Sequence, residues 1–374
     1  MTEILSALHS RYIIDGVQQE LTPAQILDSV IGPFGAGPEL TGGAVAGRIV
    51  DESPGPALST VETDPSMVDR YLSAVMRVVR RPSPVFAAQY TRSRIEKALL
   101  DCLWRMGHFG LGDLCLDAVW TWNDSEIGNM AGLYSSVQAA GEFLDSLDMH
   151  MRYYSEEKGR LGVAFTADLR PGIDEDSLIE LPFGSEKPKL GAASLPSALN
   201  PDPKSWIVYI PFDTSLYRLG GSLLAQALKD SPAVAPQVND PDYFIDCYEV
   251  VRELVEDGIV LSAATVADGG LIAAVKGMTT SRMGACIDIS DLRRATGGED
   301  PVRLLFAEVP GALVQIRDID FDYLDAELLL QDVAFYPLGH PVSGGGVKVL
   351  ESEKSGIQSI LDSLLRNQNG EGED

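Results

Sequence analysis

Two hydrophobic rhythms run along this chain. In "SRIEKALLDCLWRMG", Ile95, Leu99, Leu103 and Met106 recur every three or four positions, which predicts a helix with one buried face. "PSMVDRYLSAVMRVVR" and "DYFIDCYEVVRELVEDG" have the same period, and Gly258 ends the second. "DLCLDAVWTW", "SWIVYIPF" and "IVLSAATV" read as strands. "NDSEIGNMAGLYSSVQAAGEFLDSLD" predicts a long helix capped by Asn123 or Asp124. Residues 1–30 read as a helical segment, with Thr22-Pro23 as a cap and first-turn pair. Ala44 to Val50 and "ALSTVET" read as a hairpin across the turn "DESPGP". "SLYRLGGSLLAQALK" predicts a helix entered through Gly220-Gly221, and "RLLFAEVPGALVQI" two short strands around Pro310-Gly311.

Strands and helices alternate in both halves, so the expected class is α+β with α/β-like layers. A length of 374 residues suggests two domains, each with its own core. Residues 155–204 are rich in Pro, Gly and charge and mark a junction or an excursion. The expected division is an N-terminal helical segment over 1–30, one domain over 31–190, a second over 205–350, and a partly disordered tail over 351–374.

Charge narrows the partners. A formal net charge of −26 repels nucleic-acid backbones and anionic lipid surfaces. It does not exclude an anionic small molecule, because a local nest of N–H groups can override the global field. Four scattered cysteines, Cys102, Cys115, Cys247 and Cys286, form no zinc pattern and suit a reducing compartment. The N-terminus lacks a signal-peptide pattern, so the expected location is cytoplasmic, without a membrane span. Only His9, His108, His150 and His340 are available for histidine chemistry.

The stretch with most chemical content is "TVADGGLIAAVKGM", residues 265–278. A strand ending in Asp268-Gly269-Gly270 and entering a helix points several N–H groups at one place, which suits a phosphate. Asp268 is placed to hold a divalent cation there. The plainer reading is a helix cap and two turn glycines. Gly220-Gly221-Ser222 opens a second helix in the same way.

Taken in order, "RLGGSLLAQAL", "VRELVEDGIVLSAATVADGGLIAAVKGM" and "LLFAEVPGALVQI" resemble the C-terminal domain of the aminoimidazole ribonucleotide synthetase (PurM-like) superfamily. The resemblance is closest to the formylglycinamidine ribonucleotide (FGAM) synthase branch. "DSVIGPFGAGPELTGGAVAGRIVDESPGPALSTVETDP" and "GDLCLDAVWTWNDSEIGNMAGLYSSVQAAGEFLDSLDM" resemble its upstream half, so the likeness covers roughly residues 30–350. It implies a two-domain fold, with an N-terminal sheet domain that dimerises and a C-terminal α+β domain. It also implies an ATP-dependent ligase of purine-biosynthesis type that activates an amide by phosphoryl transfer. ATP, magnesium, a ribonucleotide or other phosphorylated small molecule, and a glutaminase partner follow from it. On the resemblance, Gly220, Gly221, Ser222, Gly269, Gly270 and Asn123 hold the nucleotide, and Asp64, Asp113 and Asp268 the metal.

The pattern is broken at several positions. The family's magnesium-binding Glu and Asn fall on Ala98 and Cys102, and an earlier Asp falls on Thr265. No Lys or Arg lies inside either glycine motif. These losses favour an alternative, a non-catalytic relative kept as a binding or assembly subunit. The nucleotide reading requires the two glycine-led helix starts to face one shared cavity, opposite the hairpin that carries Asp64.

Overall fold

The computed structural model describes residues 6–50, 67–173, 194–229, 234–236 and 240–350. "ALSTVET" and Asp64 lie outside the described residues. The first described residues are not helical: β1 (Ser6–Ile14) is a strand, followed by the short β2 (Val17–Gln18). Alternate residues of its second half, Tyr12 and Ile14, are buried, the period of a half-buried strand, which corrects the helical expectation over residues 6–18. Helix α1 (Pro23–Ser29) does begin at Thr22-Pro23. The Thr22 hydroxyl accepts from Gln25 N, and the Gln25 side chain accepts from Thr22 N at 2.8 Å. β3 (Gly42–Gly47) runs parallel to β1.

Helices α2 (Val68–Val75) and α3 (Ala87–Met106) follow, as the apolar period predicts. β4 (Leu114–Trp122) is the centre of a three-stranded sheet, parallel to β5 (His150–Lys158) and antiparallel to β6 (Gly162–Leu169). Between β4 and β5 lies α4 (Asn129–Ser146), whose cap comes four or five residues later than expected, at Gly128 in a left-handed conformation. Asn123 caps no helix. Its Oδ1 accepts from Ser125 N and Asn129 Nδ2 and its Nδ2 donates to Gly159 O, so it braces the loop.

The second half holds a five-stranded sheet in the order β8 (Val260–Val266), β10 (Gly311–Ile316), β7 (Trp206–Pro211), β11 (Tyr336–Leu350), β9 (Met283–Asp288). β11 turns back near its glycines, so His340 and Lys348 both stand opposite Cys286. His340 is structural: its Nδ1 lies 2.9 Å from Ser205 O and its ring packs on Trp206. Helices α5 (Leu223–Leu228), α6 (Pro241–Glu256), α7 (Gly270–Met278), α8 (Ser290–Ala295), α9 (Pro301–Phe306) and α10 (Phe321–Leu330) cover the sheet. "RLLFAEVPGALVQI" therefore begins in the end of a helix. Asp300 caps α9, accepting from Val302 N at 2.9 Å, and Pro301 opens it; only Gly311–Ile316 is a strand.

The cores are not divided at residues 155–204. Val208 and Ile210 of β7, with Ala312 and Val314 of β10, join one cluster with α3, α4, α6, α10 and the N-terminal sheets. Ile207, Tyr209 and Leu313, on the other face, join a second cluster with α2, α5, α7, α8 and α9. The two-residue period of the strands, not the chain order, separates the cores. All four cysteines are free, and Cys102, Cys115 and Cys247 are buried.

Among the described residues, one buried carboxylate beside the first core is unpaired. Glu96 on α3 is fully buried and neither carboxylate oxygen has a hydrogen-bond partner. Burial, with Asp213 nearby, holds its carboxyl well above the ordinary range, and Arg92 opposes this only in part. The folded state therefore keeps this proton while the unfolded chain releases it near pH 4.3. Stability from this group is present below that pH and is lost as pH rises through the folded pKa. Glu96→Gln should match wild type at pH 3.5 and exceed it at pH 7.5 in urea denaturation; an equal difference at both pH values would show that Glu96 carries no extra proton.

Candidate functional site

The site forms where β8 ends. Gly269 (φ +81°) caps α7 and Gly270 (φ +74°) is its first residue. A Cβ on Gly270 would lie 2.7 Å from Leu305 O and Phe306 C, because the start of α7 rests on the backbone at the end of α9. Gly220 is as tightly confined: a Cβ there would lie 2.4 Å from the Val234 carbonyl. Ser222 caps α5, its hydroxyl accepting from Ala225 N at 3.2 Å. Both glycine motifs thus have a packing reason for their sequence.

The two helix starts do meet, at the carboxylate of Glu308, in the loop between α9 and β10. Glu308 Oε1 accepts from Leu223 N at 3.0 Å and from Gly269 N at 2.8 Å. Its Oε2 pairs with Arg80 at 2.5 Å. The protein's own carboxylate therefore takes N–H groups that a phosphate oxygen would use.

Asp268 is also engaged. Arg80 Nη2 lies 2.7 Å from its Oδ1, and Arg94 pairs with the same oxygen. Burial alone would raise the Asp268 carboxyl, but the Arg94 hydrogen bond and the charges of Arg80 and Arg94 hold it below the usual range. Arg80 also donates to Gly221 O at 3.0 Å, and Arg94 lies over the Tyr90 ring, 4.6 Å from its centre. Two guanidiniums face two carboxylates, so the cluster is neutral at its centre.

No Lys or Arg lies inside the glycine motifs, and positive charge reaches them from outside. Arg80 lies in the basic run after α2 and Arg94 on α3. The signal for Arg94 is its spacing: Arg94, Lys97 and Asp101 share one helix face. Lys97 pairs with Asp101, whose Oδ1 accepts from the Thr265 hydroxyl at 2.7 Å. Trp104 Nε1 donates to the same hydroxyl at 2.9 Å, so Thr265 joins α3 to β8.

Beside the cluster opens a small cleft, continuous with solvent and walled by Arg80, Phe86, Tyr90, Gly220, Gly221 and Glu308. Asn123 and Asp113 are not among its walls. Asp113 sits in the turn before β4, where its Oδ2 accepts from Gly110 N at 3.2 Å. Among the described residues no three His, Cys, Asp or Glu side chains form a metal-holding group. Asp268 does not fit magnesium, since two guanidiniums already hold it and would repel a second cation.

Removing Glu308 should leave two buried N–H groups without their acceptor and Arg80 with only Asp268 and Gly221 O. We expect Glu308→Ala to destabilise the fold by about 3–5 kcal/mol in chemical denaturation. The Arg80→Ala/Glu308→Ala pair should cost less than the sum of the single variants. Additive losses would mean that the two residues do not interact.

No protein-family model matches the chain. Among solved structures it is similar to PurLQS from Thermotoga maritima, at 12% identity over 73% of this chain and 41% of that chain, TM-score 0.48. It is similar to Thermotoga maritima PurL complexed with FGAR, at 11% identity over 75% and 42%, TM-score 0.49. A third is thiamine-monophosphate kinase from Stenotrophomonas maltophilia, at 14% identity over 72% and 79%, TM-score 0.41. The match spans only 41% and 42% of the first two chains' length.

Proposed function

We propose that this chain is a non-catalytic protein of synthetase-like shape that serves as a binding or assembly subunit. One observation carries the reading: the Glu308 carboxylate accepts the N–H groups of both Leu223 and Gly269. Gly220, Gly221, Ser222, Gly269 and Gly270 are then needed to bring three chain segments to one carboxylate, with no nucleotide involved. Asp268 in turn neutralises Arg80 and Arg94. ATP would bring about four negative charges to a centre with no net positive charge, in a chain of net charge −26.

The second reading is an ATP-dependent ligase acting on an amide, as in FGAM synthase. The open cleft beside Arg80 and the Gly220-Gly221 turn favours it. In that case Glu308 leaves the two N–H groups when phosphate arrives. A phosphorylated substrate, a glutaminase partner, dimerisation through the N-terminal sheet and a cytoplasmic location accompany this reading. Among the described residues no helix is long and apolar enough to cross a membrane.

A thermal-shift titration with ATP and magnesium separates the two. The non-catalytic reading predicts no shift at millimolar nucleotide. A saturable shift equivalent to about 2.7 kcal/mol at a hundred times the dissociation constant, lost in Asp268→Ala, would establish the ligase reading instead.

A further inference from the structure

On the face of the five-stranded sheet away from the glycine turns, α10 packs on α6 through Leu324 and Leu328, both in the first core cluster. Its outer face exposes large apolar side chains among its aspartates, where a solvated helix is normally polar. Tyr323, Ala326 and Leu330 follow one another at helical spacing, with Leu329 beside them. Leu329 and Leu330 are 74% and 77% exposed, and Ile319, in the turn leading into the helix, is 82% exposed. Single exposed leucines are ordinary, but several on one rigid face mark a contact surface. The face is held in place: the Tyr323 hydroxyl donates to Asp257 at 2.8 Å, and Trp206 Nε1 donates to Asp318 at 2.8 Å.

The rim identifies the partner. Asp322, Asp325 and Asp332 are exposed around the apolar residues, and no ion pair among the described residues engages them. The sequence has no lysine or arginine between Arg317 and Lys348, and Arg317 is tied to Asp320 at 2.5 Å. A second copy would set acid against acid, and a nucleic acid or anionic membrane would be repelled. We propose that the outer face of α10 docks a basic amphipathic helix of another protein. Its apolar stripe would cover Ile319, Leu329 and Leu330, and its lysines or arginines would meet Asp322, Asp325 and Asp332. This surface gives the assembly reading a place of contact, yet it does not depend on whether the cleft binds nucleotide.

The test uses the full chain and a fluorescent helical peptide of about 18 residues, long enough to span α10, with a leucine stripe and a lysine rim, read by anisotropy. The leucine–lysine peptide should bind, and a peptide with the same stripe and a glutamate rim should not. Leu329→Ser/Leu330→Ser should weaken binding at least ten-fold with an unchanged circular-dichroism spectrum and Tm. Asp322→Asn/Asp325→Asn should slow association and flatten its salt dependence. Equal binding of a lysine–serine peptide, or an unaffected double-leucine variant, would reduce the effect to bulk charge attraction and overturn the proposal. So would the absence of binding at 100 µM peptide, or self-association in sedimentation velocity that the double-leucine variant abolishes.

Discussion

The carboxylate of Glu308 is the point on which the second half of the molecule converges. One oxygen accepts from the first residue of α5 and from the cap of α7, and the other meets Arg80. A helix start leaves N–H groups without intrahelical partners, and burying two such starts side by side is costly unless an acceptor lies between them. A carboxylate suits both the unpaired donors and the positive ends of the helices. Because α5, α7 and the loop after α9 come from three distant stretches of sequence, this one side chain holds the covering helices of the sheet in register. Arg80 extends the tie to the segment after α2, and Arg94 extends it to α3.

The same contacts explain the balance of charge. A chain with 55 acidic and 29 basic residues places two of its arginines, each mostly buried, against two carboxylates at the sheet edge. An arginine can meet two acids at once through its fork of donors, which a lysine does less well. The arrangement uses as structure the donors that an ATP enzyme would direct at phosphate and metal. Polar groups satisfied by one another have little to gain from a ligand that must first displace them.

Much of this was legible in the sequence. Helical period located α2, α3 and α6, the glycine turn located α7, and strand patterns located β4, β7 and β8. The glycine motifs announced two helix starts that meet in space. Three things were hidden for physical reasons. β1 was misread because its first residues are buried on both sides, which obscures alternation. The α9 stretch was misread because a six-residue helix is too short to show a period, although Asp300-Pro301 carried a cap signal. Arg80, Arg94 and the full role of Glu308 were hidden because they reach the site from sequence positions up to 228 residues apart, and only the fold brings them together.

Amide hydrogen exchange at Leu223 and Gly269, followed by NMR in ligand-free protein, tests the central contact directly. If Glu308 holds both N–H groups, both amides exchange slowly in wild type and together become fast in Glu308→Ala. Fast exchange at either amide in wild type would contradict the account, because it would leave that helix start free to receive a phosphate.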